Sequence, residues 1–389
     1  MENYTNYKVS LINTTPYLDQ NPGTSGLRKK VTHFRQQNYL ENFVQSIFNS
    51  HQNEEYENKT LVIGGDGRFY NDIATNIIIK ISAANKIKKI IVAENGVMST
   101  PAVSLLVRNQ PAHECFGAIL LTASHNPGGE TEDFGIKFNN WVGAPAPEGI
   151  TSKIFSCSKE ILSYKTIAFD GVFSLTDNTK FQVTDENNDI REVSVEIEPT
   201  TKLYTETMKS LFDFNKLQLL FNRNDFKFAF DAMHGASGPY AMEIFKNVLG
   251  VDSKDLHYCD SLQDFGGLHP DPNLVYAKNL VKIMDIDRKI QEDDLVPDFG
   301  AACDGDADRN MILGKRFFIS PSDSVAIIAA NYKLIPNLNR EGGLKGVARS
   351  MPTSGALDRV AKKLGINVYR YIILFSCMKH LLDGNSSET

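Results

Sequence analysis

Three stretches of the chain share one pattern: an apolar run, a loop rich in Gly, Ser, Asp or Arg, then a helix-like segment. They are LVIGGDGRFYNDIATNIIIKI from Leu61, FKFAFDAMHGASGPYAMEIFKNVL from Phe226 and GVARSMPTSGALDRVAKKL from Gly346. Strands alternating with helices bury both faces of a sheet and place the loops at its carboxyl ends, so the pattern predicts an α/β fold with mainly parallel, mixed sheets. A chain of 389 residues exceeds one hydrophobic core of ordinary size, and three successive units accommodate it. The boundaries are drawn at 1–198, 199–315 and 316–389, the third unit being partial and opening on FFISPSDSVAIIAANYKLI. The polar stretch 174–192 (SLTDNTKFQVTDENNDIRE) lacks strong periodicity and reads as a connection closing the first unit.

Charge and cysteine usage remove several classes of function. A formal net charge of -6 argues against nucleic-acid binding through a generally basic surface, while leaving room for a local basic pocket. The five cysteines are widely separated and form no CxxC pair, which argues against a disulfide framework or a zinc site. The N-terminal segment is polar, with neither a secretory signal nor a membrane span, and a cytoplasmic location is expected. Near the other end, residues 371–378 (YIILFSCM) are apolar but too few to cross a bilayer; a buried strand and an exposed, aggregation-prone end both fit.

Two loops carry the chemistry. Residues 122–129 read TASHNPGG directly after the apolar run FGAILL, which sets Ser124 at a strand end before an abrupt turn. Ser124 is either a turn-capping serine or a nucleophile. Residues 304–309 read DGDADR, and in an extended loop the alternate residues Asp304, Asp306 and Asp308 aim three carboxylates at one point. Hard oxygen ligands at that spacing suit magnesium, with a solvated acidic turn as the alternative. An EF-hand is excluded because Arg309 and Lys315 occupy its glycine and bidentate glutamate positions. A serine beside a divalent cation, in a chain without a GxSxG elbow, points to phosphoryl transfer rather than acyl transfer. Arg28, Lys137 and Arg309 are the candidate cations. Arg68 reads either as a support for the metal loop or as half of a local salt bridge.

Taken together, these motifs resemble the eukaryotic phosphoglucomutases of the α-D-phosphohexomutase superfamily, parafusin-like relatives included. The resemblance rests on GTSGLRKKV from Gly23, GGDGRFYN from Gly64, TASHNPGG, FGIKFN from Phe134, DAMHGASGPYA from Asp231, DFGGLHPDPNL from Asp264, DFGAACDGDADRNMILGK from Asp298 and ARSMPTSGALDRVA from Ala348. It implies that Ser124 is a phosphoserine, and that magnesium is held by Asp304, Asp306, Asp308 and an oxygen of the Ser124 phosphate. It further implies that Arg28 and Arg309 contact substrate, that Lys137 assists proton transfer, and that His125 and Asn126 position the serine loop at the substrate. The implied reaction interconverts glucose 1-phosphate and glucose 6-phosphate through glucose 1,6-bisphosphate in a monomer.

The resemblance fades after LGINVYRY. The family's threonine-glycine-tryptophan sugar loop, its glutamate-serine motif and a fourth domain with a distal-phosphate loop are not found, and the single tryptophan is Trp141. Impaired turnover is therefore expected. The alternatives are a non-catalytic parafusin-like phosphoprotein or an unstable truncated product, with self-association through an exposed third unit.

Overall fold

The computed structural model describes residues 4–23, 25–292 and 295–371. A nine-stranded mixed sheet occupies the first half of the chain. Its order is β2 (Leu27–Lys30), β6 (Asp133–Asn140), β5 (Cys115–Leu121), β3 (Thr60–Gly65), β4 (Lys89–Ala93), β9 (Ile190–Glu198), β8 (Thr179–Thr184), β1 (Asn6–Asn13) and β7 (Ser163–Ile167). The centre, β5-β3-β4-β9, is parallel, and β2, β6, β8 and β7 make antiparallel pairs around it.

Strands β3 and β5 are buried along their whole length, so they read as continuous apolar runs rather than as alternations. Their side chains still sort by strand period. Leu61 and Ile63 pack with Ile78 and Phe43, whereas Val62 faces the opposite layer with Val103, Leu106 and Val107 of the helix Thr100–Arg108. Tyr240 joins that second layer, with Leu203, Tyr204 and Ile244 packed against it, so the following unit docks on this face of the first sheet.

The second sheet runs β11 (Leu256–His257), β10 (Phe228–Asp231), β12 (Phe299–Cys303), β13 (Asn310–Gly314) and β14 (Phe317–Ile319). A parallel pair follows, β15 (Gly346–Ser350) with β16 (Asn367–Tyr371), and the helix Ala356–Leu364 connects the two strands.

Two sequence assignments change. The stretch 174–192 is no simple connection: β8 and β9 form an antiparallel hairpin there, burying Phe181, Val183, Val193 and Val195 on one face. Its polar outward residues dilute the apolar content but leave the alternation intact. The run Phe317–Ile319, read as the start of the third unit, pairs antiparallel with β13 across a tight turn containing Arg316 at φ 55, and so extends the second sheet. Apolar spacing marks a strand but not the sheet that receives it. The apolar run 372–378 lies outside the described residues. Among the described residues no helix is long and apolar enough to cross a membrane.

Candidate active site

Strand β5 delivers Thr122 and Ser124 just beyond its carboxyl end. Ser124 adopts a left-handed backbone at φ 57, a conformation that costs a non-glycine residue about 1–2 kcal/mol. Two hydrogen bonds hold it there. The Ser124 amide donates to Thr122 Oγ1 at 2.7 Å, and Arg68 Nη2 donates to the Ser124 carbonyl at 2.9 Å. Thr122 Oγ1 in turn donates to Asp66 Oδ2 at 2.6 Å.

Arg68 is 0% exposed and pairs with the equally buried Asp66 at 2.9 Å. Its Nη1 donates to the Asp133 carbonyl at 2.8 Å, and its guanidinium lies 5.1 Å from the Phe265 ring centroid. The ion pair with Asp66 is local, as one sequence reading had it. The guanidinium also reaches forward, and what it braces is the serine loop rather than the aspartate loop.

Across from Ser124, β12 ends and the loop 304–309 turns into β13. Asp304 Oδ1 accepts the amides of Asp308 and Arg309 at 3.1 and 3.0 Å, which curls the loop around its own first carboxylate. Asp304 Oδ2 accepts from Ser124 Oγ at 3.2 Å and from Arg309 Nε at 2.9 Å. Gly305 permits this approach, since a Cβ there would lie 2.7 Å from the Ser124 carbonyl oxygen. Arg309 Nη2 donates to Ser124 Oγ at 2.6 Å and also to His125 Nδ1. That ring nitrogen is therefore an acceptor, and burial together with the Arg309 charge keeps the imidazole neutral by lowering its pKa.

One ligand oxygen from each of Asp304, Asp306 and Asp308 falls within 4.8 Å of the others. Burial, reinforced by the charges of Asp306 and Asp308, pushes Asp304 up to about 7, and burial with the Asp306 charge raises Asp308. Asp306 Oδ1 is buried and has no hydrogen-bond partner, while its Oδ2 accepts from Thr100 Oγ1 at 2.8 Å. Crowded carboxylates with an unpaired buried oxygen fit a hard divalent cation such as magnesium.

The remaining expected residues lie around this centre. Lys137, on β6 opposite Leu120, brings Nζ to 3.9 Å from Asp306 Oδ2. Arg28, on β2 opposite Gly135, has a buried Nε without a partner and senses the charges of Asp306, Asp308 and Arg309; burial lowers its pKa. The Asn126 carboxamide donates to Asp133 Oδ2 at 3.0 Å and so braces the loop from behind. Ser124, His125, Lys137, Asp304, Asp306 and Arg309 thus converge, while Asn126 turns to Asp133. Thr100, Thr122 and Asp66 were not singled out from sequence. Thr122 lay in plain view inside TASHNPGG, but Thr100 has no local signal pointing to an aspartate 206 positions away.

Residues 19–165 match the family described as phosphoglucomutase/phosphomannomutase, alpha/beta/alpha domain I, and residues 202–316 match its domain II. Phosphoglucomutase-1 of Paramecium tetraurelia is 51% identical over 377 residues, covering 95% of this chain and 65% of that protein. A probable cytoplasmic phosphoglucomutase of Arabidopsis thaliana is 49% identical, with 97% of this chain and 64% of the relative covered. The open-form crystal structure of the exocytosis-sensitive phosphoprotein pp63/parafusin from Paramecium superposes with a TM-score of 0.92 at 47% identity, over 98% of this chain and 67% of that one. The chain spans about 65% of the length of the curated relatives it matches. A serine loop from one α/β unit facing an aspartate loop from the next is thus carried on the matching pair of domains, and the chain belongs to the phosphoglucomutase/phosphomannomutase family of α-D-phosphohexomutases.

Proposed function

We propose that this chain carries phosphoryl groups on Ser124 and acts on hexose phosphates in the cytoplasm, interconverting glucose 1-phosphate and glucose 6-phosphate through glucose 1,6-bisphosphate. One observation carries the reading: Ser124 Oγ lies between a guanidinium at 2.6 Å and a buried carboxylate at 3.2 Å, both from the opposite domain. A hydroxyl serving only to cap a turn has no use for either.

In the forward step, the bond from phosphorus to Ser124 Oγ breaks as the bond to the free sugar hydroxyl forms. The electron pair stays on Oγ, where Arg309 Nη2 meets the charge. Lys137, beside Asp306, is assigned to move the proton that the sugar hydroxyl gives up. Arg28 supplies positive charge on the same face, and neutral His125 fixes the Arg309 guanidinium. When bound by Asp304, Asp306, Asp308 and an oxygen of the phosphoserine, magnesium adds positive charge against the phosphoryl oxygens. The return step reverses these roles and transfers the other phosphate of the bisphosphate to Ser124.

The test separates uptake from turnover. The purified 389-residue chain is incubated with magnesium and glucose 1,6-bisphosphate, and peptide mass spectrometry locates the phosphate. Glucose 6-phosphate formation from glucose 1-phosphate is followed with a coupled dehydrogenase. The expected result is a phosphate on Ser124 and none on Ser124→Ala, with turnover well below that of a full-length relative assayed alongside. Phosphate elsewhere on the chain, or its absence, overturns the reading. Phosphoserine without any turnover would leave a phosphoprotein rather than a mutase.

A further inference from the structure

The aspartate loop is steadied by a residue from the other domain. Thr100 opens the helix Thr100–Arg108, with Ser99 as its cap and Pro101 next in line. The first amides of a helix have no partner within it. The Thr100 amide instead donates to the Asp306 main-chain carbonyl at 2.9 Å, while Thr100 Oγ1 donates to Asp306 Oδ2 at 2.8 Å. A single residue therefore grips both the backbone and the carboxylate of Asp306. The carboxylate is 1% exposed, and with Oδ2 occupied its other oxygen, Oδ1, is left buried and unpaired. Rotation about the side chain would exchange the two oxygens or turn both away, and the Thr100 hydroxyl opposes it.

The platform behind Thr100 is firm. Ala102, Val103, Leu106 and Val107 of its helix are buried against β3 and β5, and Tyr240 of the second domain packs into the same cluster, its hydroxyl accepting the Ser99 amide at 3.3 Å. The helix amino terminus, where the peptide dipoles leave positive charge, also faces the carboxylate.

The geometry points to Thr100 as a positioning residue for the cation site: its hydroxyl fixes Asp306 so that Oδ1 is presented to the metal, although Thr100 itself touches neither metal nor substrate. This rests on the reading that Asp304, Asp306 and Asp308 hold magnesium. Outer partners that orient a ligand typically contribute tenfold to a hundredfold in metal affinity.

The test is calorimetric titration of the metal-stripped 389-residue chain with magnesium, read independently of activity. Thr100→Val keeps the branched shape and removes the hydroxyl, and Thr100→Ser keeps the hydroxyl and removes the methyl. The expected result is magnesium affinity at least tenfold weaker in Thr100→Val and within about twofold of wild type in Thr100→Ser. Wild-type affinity in Thr100→Val overturns the assignment. If Thr100→Val does not fold, Thr100→Ala against Thr100→Ser decides: a tenfold loss in Thr100→Ala that is absent in Thr100→Ser supports the hydroxyl's role, and equal affinities in the two overturn it. No magnesium binding by the wild-type chain would instead remove the metal reading on which the inference stands.

Discussion

Replacing Arg68 with Met probes what holds the serine loop. The change keeps a long apolar stem and deletes the guanidinium, leaving Asp66 with no exposed surface and no counter-charge. Its remaining donors are the Thr122 hydroxyl at 2.6 Å and the residue 68 amide at 3.2 Å. Breaking a buried ion pair from one side costs about 3–5 kcal/mol. The carbonyls of Ser124 and Asp133 lose their donors too, although the loop can relax toward water and recover part of that cost. At a slope of about 2–3 kcal/mol per molar urea, the unfolding midpoint followed by far-ultraviolet circular dichroism should fall by about 1–2.5 M. Asp66→Asn combined with Arg68→Met should be more stable than Arg68→Met alone, because a buried amide without a partner costs less than a buried charge. Phosphoserine formation should slow as well, since Ser124 is then free to leave its left-handed conformation. A midpoint shift below about 0.3 M, or a double variant less stable than Arg68→Met, would refute the argument.

Two further outcomes follow from the same geometry. Gly305→Ala sets a methyl 2.7 Å from the Ser124 carbonyl oxygen, so the two loops must separate; phosphoserine formation measured by peptide mass spectrometry should drop at least tenfold, and an unchanged rate would show that the loops yield easily. In the metal-free chain, Asp304 is held at about 7 by burial and by Asp306 and Asp308, against about 4 when unfolded, with Arg309 opposing the shift. The native state therefore binds the extra proton between those values, and stability falls as pH rises from about 4 to about 7. Asp304→Asn should remove that contribution, so its stability relative to wild type increases across this window in chelator; magnesium should reverse the trend by favouring the charged carboxylates, and a pH-independent difference would count against the assignment.

The two loops of the candidate site were legible because each is a short run whose residue types have one economical use together. Ser124 alone was ambiguous, and three aspartates at alternate positions removed the ambiguity by supplying a partner. Their supports were not legible. Arg68, Thr122 and Asp66 form a connected set only once β3 and β5 lie side by side, and Thr100 reaches Asp306 only after two domains dock. The fold shows the same division. Continuous apolar runs gave away β3 and β5, buried on both faces, whereas the β8–β9 hairpin buries one face and its outward residues resemble a linker. The pairing of Phe317–Ile319 with β13 depended on a tight turn at Arg316 that composition does not mark.

The division of the site between two sheets has a consequence for chains that fold imperfectly. Ser124 comes from the first domain, and the guanidinium and carboxylates around it from the second. A molecule with one domain unravelled, nicked or wrongly docked thus has no partly working version of the centre. A phosphoserine outside its enclosure is a phosphate monoester that water attacks very slowly without a catalyst, and a chain in that condition also lacks the charges that would load the serine or draw its phosphate off. Faulty assembly silences the chemistry instead of letting it leak.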